Sequence, residues 1–210
     1  MYETIVKSNS MCSDLRIKSL TKCLEIVDAD NIEGDFAECG TWRGGLAALM
    51  LHYISTGDVK RKLYIYDTFQ GMTKPEDIDG GALKMFGEYI NDGEFADWCK
   101  AGVDEVKATL GEVDKLFEAK CILVEGKVED TLNFKANLPY KIALLRLDTD
   151  WYQSTKKEFE VLWPLVVTNG IVIVDDYSDW PGCRMAVDEY LKDVRHNREL
   201  ADGSLVITKL

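Results

Sequence analysis

Residues Asp35–Gly45 read DFAECGTWRGG and run on into Leu46-Ala47-Ala48-Leu49-Met50-Leu51. The short apolar run Phe36-Ala37 ends in an acidic residue, Glu38, and a glycine-punctuated turn follows, Cys39-Gly40-Thr41-Trp42-Arg43-Gly44-Gly45. That is a buried strand, a tight turn and a helix. Glycine allows unusual backbone angles and lets a ligand come close to the main chain. The helix N-terminus beyond it offers free N–H groups and partial positive charge. The spacing E-x-G-x-x-x-G-G departs from the dinucleotide fingerprint G-x-G-x-x-G. A Glu at the strand end suits a ligand bearing hydroxyl or ammonium donors better than a bare pyrophosphate. The turn is read as nucleoside-binding, in the manner of S-adenosylmethionine (SAM).

Working outward, the 210 residues suit one domain with a substantial core, spanning 1–210. Net charge is −12, and the 25 basic residues are scattered, which excludes nucleic acid and anionic membranes as main partners. Cys12, Cys23, Cys39, Cys99, Cys121 and Cys183 show no C-x-x-C pair and no metal-finger spacing, so reduced thiols are expected. No signal peptide is read at the start, and no apolar run reaches the roughly 18 residues of a membrane span. A soluble, cytoplasmic protein is the expectation.

The rest of the chain alternates strands and helices. Residues 1–34 form an N-terminal arm and a helix: Leu15, Ile17, Leu20, Leu24, Ile26 and Val27 recur at helical spacing, with Ser13 and Asp14 as caps. The segment Met1–Cys12 reads equally as a lid or as a frayed terminus. Lys62–Tyr66 is the second strand, ending at Asp67-Thr68. Asp67 is placed either to accept hydrogen bonds from ribose hydroxyls or to cap a helix. Lys74–Gly93, with Pro75 and Gly80-Gly81, has loop composition. Val103–Lys120 is helical, and Lys120–Glu125 is a strand ending at Gly126. Lys141–Leu147 is a strand ending in Asp148-Thr149-Asp150, and Trp151–Leu165 a helix. Asn169-Gly170 reads as a turn before the unbroken apolar strand Ile171–Val174, which ends in Asp175-Asp176. Gly182–Arg195 is a helix, and Asp202-Gly203 turns a final hairpin. His52 and His196 fall on predicted helices and are read as structural. The pattern predicts an α/β fold: a doubly wound, mostly parallel seven-stranded sheet with a C-terminal antiparallel hairpin.

In such sheets ligands bind at the carboxyl ends of the strands, and Glu38, Asp67, Asp148, Asp150, Asp175 and Asp176 all lie at such ends. Any one of them is explained by helix capping or solvation. Four carboxylates at Asp148, Asp150, Asp175 and Asp176 repel one another unless a cation joins them. All-oxygen ligation selects Mg²⁺, Mn²⁺ or Ca²⁺ over zinc. Asp148, Asp175 and Asp176 are the expected ligands and Asp150 the expected base, taking a proton from a hydroxyl that the cation acidifies. The D-x-D at Asp148-Thr149-Asp150 also fits a metal-dependent glycosyltransferase, although the glycine turn and Asp67 favour a nucleoside without a diphosphate. A catechol-type O-methyltransferase shares the metal logic.

The segments Gly34–Gly45, Tyr66–Met72, Gly126–Leu132, Leu145–Thr155, Gly170–Tyr177 and Pro181–Asp188 together resemble the macrocin O-methyltransferase family, in family order from about residue 11 to 190. These are SAM- and Mg²⁺-dependent sugar O-methyltransferases with a Rossmann-like class I methyltransferase fold. The resemblance implies that Glu38, Gly40, Thr41, Trp42, Asp67, Thr68, Gly126 and Asp148 hold SAM. It implies a metal at Asp148, Asp175 and Asp176, a base at Asp150, and an acceptor bordered by Tyr177, Trp180 and Arg184. The expected acceptor is a sugar or glycan hydroxyl, such as that of a terminal rhamnose. Relatives point to a homodimer, and the short ends fit one domain of a longer glycan-building polypeptide.

Overall fold

Ile142–Leu147 and Ile171–Val174 do not alternate apolar with polar residues, the mark of strands covered on both faces. In the structure, a computed structural model that describes residues 2–90 and 95–210, both lie at the centre of one seven-stranded sheet. Its strands are β1 (Asp35–Cys39), β2 (Leu63–Asp67), β3 (Cys121–Glu125), β4 (Ile142–Leu147), β5 (Val166–Val174), β6 (His196–Ala201) and β7 (Ser204–Lys209). The helices are α1 (Tyr2–Ser8), α2 (Asp14–Ala29), α3 (Gly45–Thr56), α4 (Ala82–Tyr89), α5 (Val103–Val113), α6 (Val128–Thr131), α7 (Tyr152–Leu162) and α8 (Pro181–Leu191). The strand order is β3-β2-β1-β4-β5-β7-β6, parallel through β5, with β7 and β6 antiparallel. This is the expected doubly wound sheet with its terminal hairpin, turned at Asp202 and Gly203, both at positive φ.

Successive strand residues face opposite sides. Phe36, Leu63, Leu144 and Ile171 pack with Leu24, Val27, Leu49 and Leu110, while Ala37, Leu145, Val172 and Val174 pack with Phe159, Leu162, Val187 and Leu191. Each fully buried aliphatic or aromatic side chain adds about 1.5–3 kcal/mol, so the two cores hold the strand ends rigidly.

Several expectations are corrected. Residues 74–93 are not all loop: they hold a 3-10 turn at Asp77–Asp79 and helix α4, while residues 91–93 lie outside the described residues, as does Met1. Only Ala82 and Phe86 of α4 are buried, too thin a stripe to stand out beside Pro75 and Gly80-Gly81. Asn169-Gly170 does not end a strand but sits within β5, where Asn169 adopts φ 66° at a register shift against β4. Leu15 and Ile26 are exposed, and α2 instead buries Leu20, Cys23, Leu24 and Val27. Its N-cap is Ser13, as expected, accepting from the Arg16 N–H at 3.1 Å. His196 opens β6 because α8 stops at Leu191.

The N-terminal arm is anchored rather than frayed. Ile5 and Val6 of α1 are buried, Tyr2 stacks on His52 at 3.9 Å, and the Asn9 carbonyl accepts from the Gly45 N–H at 3.0 Å. A Cβ at Gly45 would meet that carbonyl oxygen at 2.5 Å, so the glycine admits the arm to the start of α3. All six cysteines are free. No helix among the described residues is long and apolar enough to cross a membrane.

Gly40 is tightly constrained, with φ 79° and a Cβ position 2.0 Å from the Asp148 carbonyl oxygen. Gly40→Ala is expected to lower stability by about 3 kcal/mol or more in urea titration. Gly81→Ala, where a Cβ meets nothing within 4 Å, is expected to change it by less than about 1 kcal/mol.

Candidate active site

One residue in β4 breaks its apolar run. Arg146 is 2% exposed, and its guanidinium lies beneath the strand ends. Nη1 donates to Glu38 Oε1 at 3.1 Å and pairs with Asp148 Oδ2 at 2.8 Å; Nη2 pairs with Asp175 Oδ1 at 3.0 Å and lies 3.3 Å from Cys12 Sγ. Burial works against its charge, but Asp148, Asp175 and Glu38 outweigh that and hold its pKa well above the ordinary value. A buried arginine needs such partners. It was read from the sequence only as part of a motif; the signal available was a lone basic residue in a strand whose neighbours end in acids.

Above Arg146, the carboxyl ends of the strands open on a cavity of about 490 Å³. Gly40, Thr41, Trp42, Asp67, Thr68 and Gly126 line one part of it, and Asp148, Asp150, Asp175 and Asp176 another. Glu38 is not on the wall: it is 0% exposed and lies underneath, accepting from Thr41 Oγ1 at 2.7 Å and from Arg146. Burial raises its pKa, with Arg146 and Thr41 opposing. It holds Thr41 in place, and Thr41 faces the cavity. Asp67 lies on the cavity wall and also ties down the glycine turn. Its carboxylate accepts from the N–H groups of Thr41 (2.7 Å), Trp42 (3.3 Å) and Phe69 (2.7 Å), fastening the glycine turn while it lines the cavity.

The parallel pairing of β4 with β5 brings Asp148, Asp175 and Asp176 together. Each offers an oxygen, and these atoms lie within 4.8 Å of one another. Burial, with nearby carboxylates adding to it, pushes Asp148 and Asp176 well above the carboxylate range. No basic side chain among the described residues pairs with Asp176. Asp175 differs: burial opposes its charge, but Arg146 and Arg16 lower its pKa. Arg16, absent from the sequence-derived set, reaches from α2 to Asp175 Oδ2 and Asp179 Oδ2, both at 2.7 Å, and to the Asp202 carbonyl at 3.0 Å.

Asp150 adopts φ 68°, a strained backbone for a non-glycine residue. Its N–H donates to Asp176 Oδ2 at 3.3 Å, and its Oδ1 accepts from Trp180 Nε1 at 2.7 Å. Burial pushes its pKa up to about 7, with the Trp180 hydrogen bond opposing and Asp175 adding to the rise. The preceding Thr149 donates to the buried Glu158 at 2.9 Å, a support the sequence did not reveal. Trp180 therefore meets the site through Asp150. Tyr177 and Arg184 do not line the cavity: the Tyr177 hydroxyl bonds to Asp188 at 3.0 Å, and Arg184 lies over the Tyr177 ring at 5.2 Å.

A glycine turn on β1, an acid after β2 and a carboxylate cluster after β4 and β5 are the parts of a group-transfer enzyme on a class I methyltransferase sheet. Residues 5–204 match the family described as macrocin-O-methyltransferase (TylF). The chain is 33% identical over 205 residues to demethyldecarbamoylnovobiocin O-methyltransferase of Streptomyces niveus, covering 96% of this chain and 73% of that protein. It is 31% identical to 8-demethyl-8-(2,3-dimethoxy-alpha-L-rhamnosyl)-tetracenomycin-C 4'-O-methyltransferase of Streptomyces olivaceus, over 87% of this chain and 67% of that protein. Among solved structures, the O-methyltransferase NovP superposes with a TM-score of 0.81 at 30% identity, covering 96% of this chain and 82% of that one. The chain belongs to the macrocin O-methyltransferase family and is an O-methyltransferase. The glycosyltransferase reading of Asp148-Thr149-Asp150 is thereby set aside.

Arg146→Met is expected to lower stability by about 3–5 kcal/mol in urea titration, because three carboxylates lose their buried partner. Combined with Glu38→Gln, the loss is expected to be smaller than the sum of the two single changes.

Proposed function

We propose that this enzyme transfers the methyl group of SAM to a sugar hydroxyl, with Mg²⁺ or Mn²⁺ held by Asp148, Asp175 and Asp176. The observation that carries the reading is the opening of the glycine turn and the acidic cluster on one cavity, with Asp150 on its wall. Sugar as acceptor is supported by relatives such as the one named for a rhamnosyl group; the acceptor proposed is a deoxyhexose on a glycan or glycosylated metabolite.

The donor set fits a hard cation. It is all oxygen, close together, and includes Asp176, whose charge has no basic partner among the described residues. A cation bound there would orient an acceptor hydroxyl and lower its pKa.

The chain's own residues do the rest. Gly40 brings the main chain close to the donor, Thr41, Trp42, Thr68 and Gly126 enclose it, and Asp67 offers its carboxylate to ribose hydroxyls. Trp180 holds one oxygen of Asp150, leaving the other for the acceptor O–H proton. As that proton moves to Asp150, the acceptor oxygen forms a bond to the sulfonium methyl and the C–S bond breaks in line. S-adenosylhomocysteine (SAH) leaves neutral, and Asp150 returns its proton to water. Holding donor and acceptor in one cavity supplies much of the rate.

Calorimetric titration with SAH, with and without Mg²⁺, tests the assignment. SAH is expected to bind wild type and Asp176→Asn alike, with the Mg²⁺ heat lost only in the variant. Asp176 is a cleaner target than Asp175, which two arginines also need. Absence of SAH binding to the wild type would overturn the donor assignment. Asp150→Asn is expected to lower methyl transfer to a rhamnoside by about 10²–10⁴-fold with SAH affinity unchanged; undiminished turnover removes it as base.

A further inference from the structure

The turn that carries Asp150 is strained, and it is held from both sides. The Trp151 N–H donates to the Thr149 carbonyl at 2.8 Å across Asp150, whose φ is 68°. This is a γ-turn of the rare kind, with positive φ at its centre. Such a turn persists only where the surrounding structure fixes its arms. Beyond Asp150, the Trp151 indole N–H reaches the Thr73 carbonyl at 2.9 Å, and the Tyr152 N–H reaches Asp79 Oδ1 at 2.8 Å. Before it, the Asp148 N–H donates to the Cys39 carbonyl at 2.9 Å. The side chain that holds Thr149 itself is Glu158, whose Oε1 accepts from Thr149 Oγ1 at 2.9 Å.

Glu158 is costly where it stands. It lies on the buried face of α7 with Thr155, Phe159 and Leu162, and it is 0% exposed. Its Oε2 has no hydrogen-bond partner. The charged groups near it are themselves acids, Glu129 and Asp148, and the Cys39 thiol is beside it. Burial pushes its pKa well above the carboxylate range, with Glu129 and Asp148 adding to the rise and the Thr149 hydrogen bond opposing. An apolar side chain of equal length would fill the same space without an orphaned oxygen. Packing therefore gives no reason for a carboxyl at this position, whereas the bond to Thr149 does.

We propose that Glu158 is a positioning residue for methyl transfer: through Thr149 it fixes the strained turn that presents the Asp150 carboxylate to the cavity, and it does so at a cost in stability. The proposal rests on the reading of Asp150 as base. Glu158 does not line the cavity and acts only through Thr149, which does.

The test compares Glu158→Met, Glu158→Gln and Thr149→Val with the wild type. The Trp180 indole N–H ends on Asp150 Oδ1 at 2.7 Å, so its proton reports where that carboxylate stands. In ¹H–¹⁵N spectra of the protein alone at one pH, this resonance is assigned through Trp180→Phe. It is expected to move upfield in Glu158→Met and Thr149→Val and to stay in place in Glu158→Gln, whose amide oxygen still accepts from Thr149. The urea midpoint of Glu158→Met is expected to equal or exceed that of the wild type. Methyl transfer to a rhamnoside is expected to fall about 10–10²-fold in kcat in Glu158→Met and Thr149→Val, with KM for SAM unchanged. Glu158→Gln is expected to recover most of that loss, and Thr149→Val to add little to Glu158→Met. An unmoved Trp180 resonance in both Glu158→Met and Thr149→Val overturns the proposal, as does a Glu158→Gln protein that behaves like Glu158→Met. A urea midpoint of Glu158→Met well below that of the wild type makes Glu158 a packing residue and overturns it too. Absence of turnover in the wild type strikes the proposed reaction instead, and the resonance and midpoint criteria then stand without an acceptor.

Discussion

The guanidinium of Arg146 is the constraint on which the site depends. A charge buried at the centre of a sheet is tolerated only where opposite charges and hydrogen bonds surround it. Here those partners are Glu38 from β1, Asp148 from the end of its own strand and Asp175 from the end of β5. Because they come from neighbouring strands, the requirement to satisfy one guanidinium sets the relative placement of the strand ends. Glu38 extends the arrangement through its bond to Thr41 into the glycine turn. The glycine turn and the acidic cluster are thus built around one buried guanidinium.

A second consequence is a division of labour among the acids. Asp175 is neutralised by two arginines, while Asp148 and Asp176 stay close together with less compensation. The cation proposed for this cluster would offset that imbalance. Asp150, turned out by a left-handed backbone and held by Trp180, stands beside this cluster with its own hydrogen-bond support. The strain at Asp150 is sustained by Thr149, tied to Glu158, and by the N–H bond to Asp176.

Much of the frame was legible in the sequence because parallel strands buried on both faces read as unbroken apolar runs. Ile171–Val174 is of that kind, as is Ile142–Leu147 but for Arg146, and the acids that end them stand out by contrast. The glycine turn was legible because its backbone demands are local; Gly40 sits against the Asp148 carbonyl, where only glycine fits. Helix α4 was not, since it buries only Ala82 and Phe86 and lies among loop-forming residues. The strand β5 runs through Asn169-Gly170, a turn-forming pair in isolation, because pairing with β4 outweighs local preference.

By itself the sequence determined the succession of the seven strands, the glycine turn after the first of them and the acids that crown the strands. These depend on periodicity and on residues adjacent in the chain. Only the tertiary structure decided which of those acids touch and which support. It put Glu38 under the cavity, carried Tyr177 and Arg184 away from its wall, and brought Arg16 and Cys12 to Asp175 across more than a hundred residues of chain. It also set Tyr89 and Trp98 beside Trp180. Contacts of that range follow from sheet order and helix packing, which no local pattern encodes.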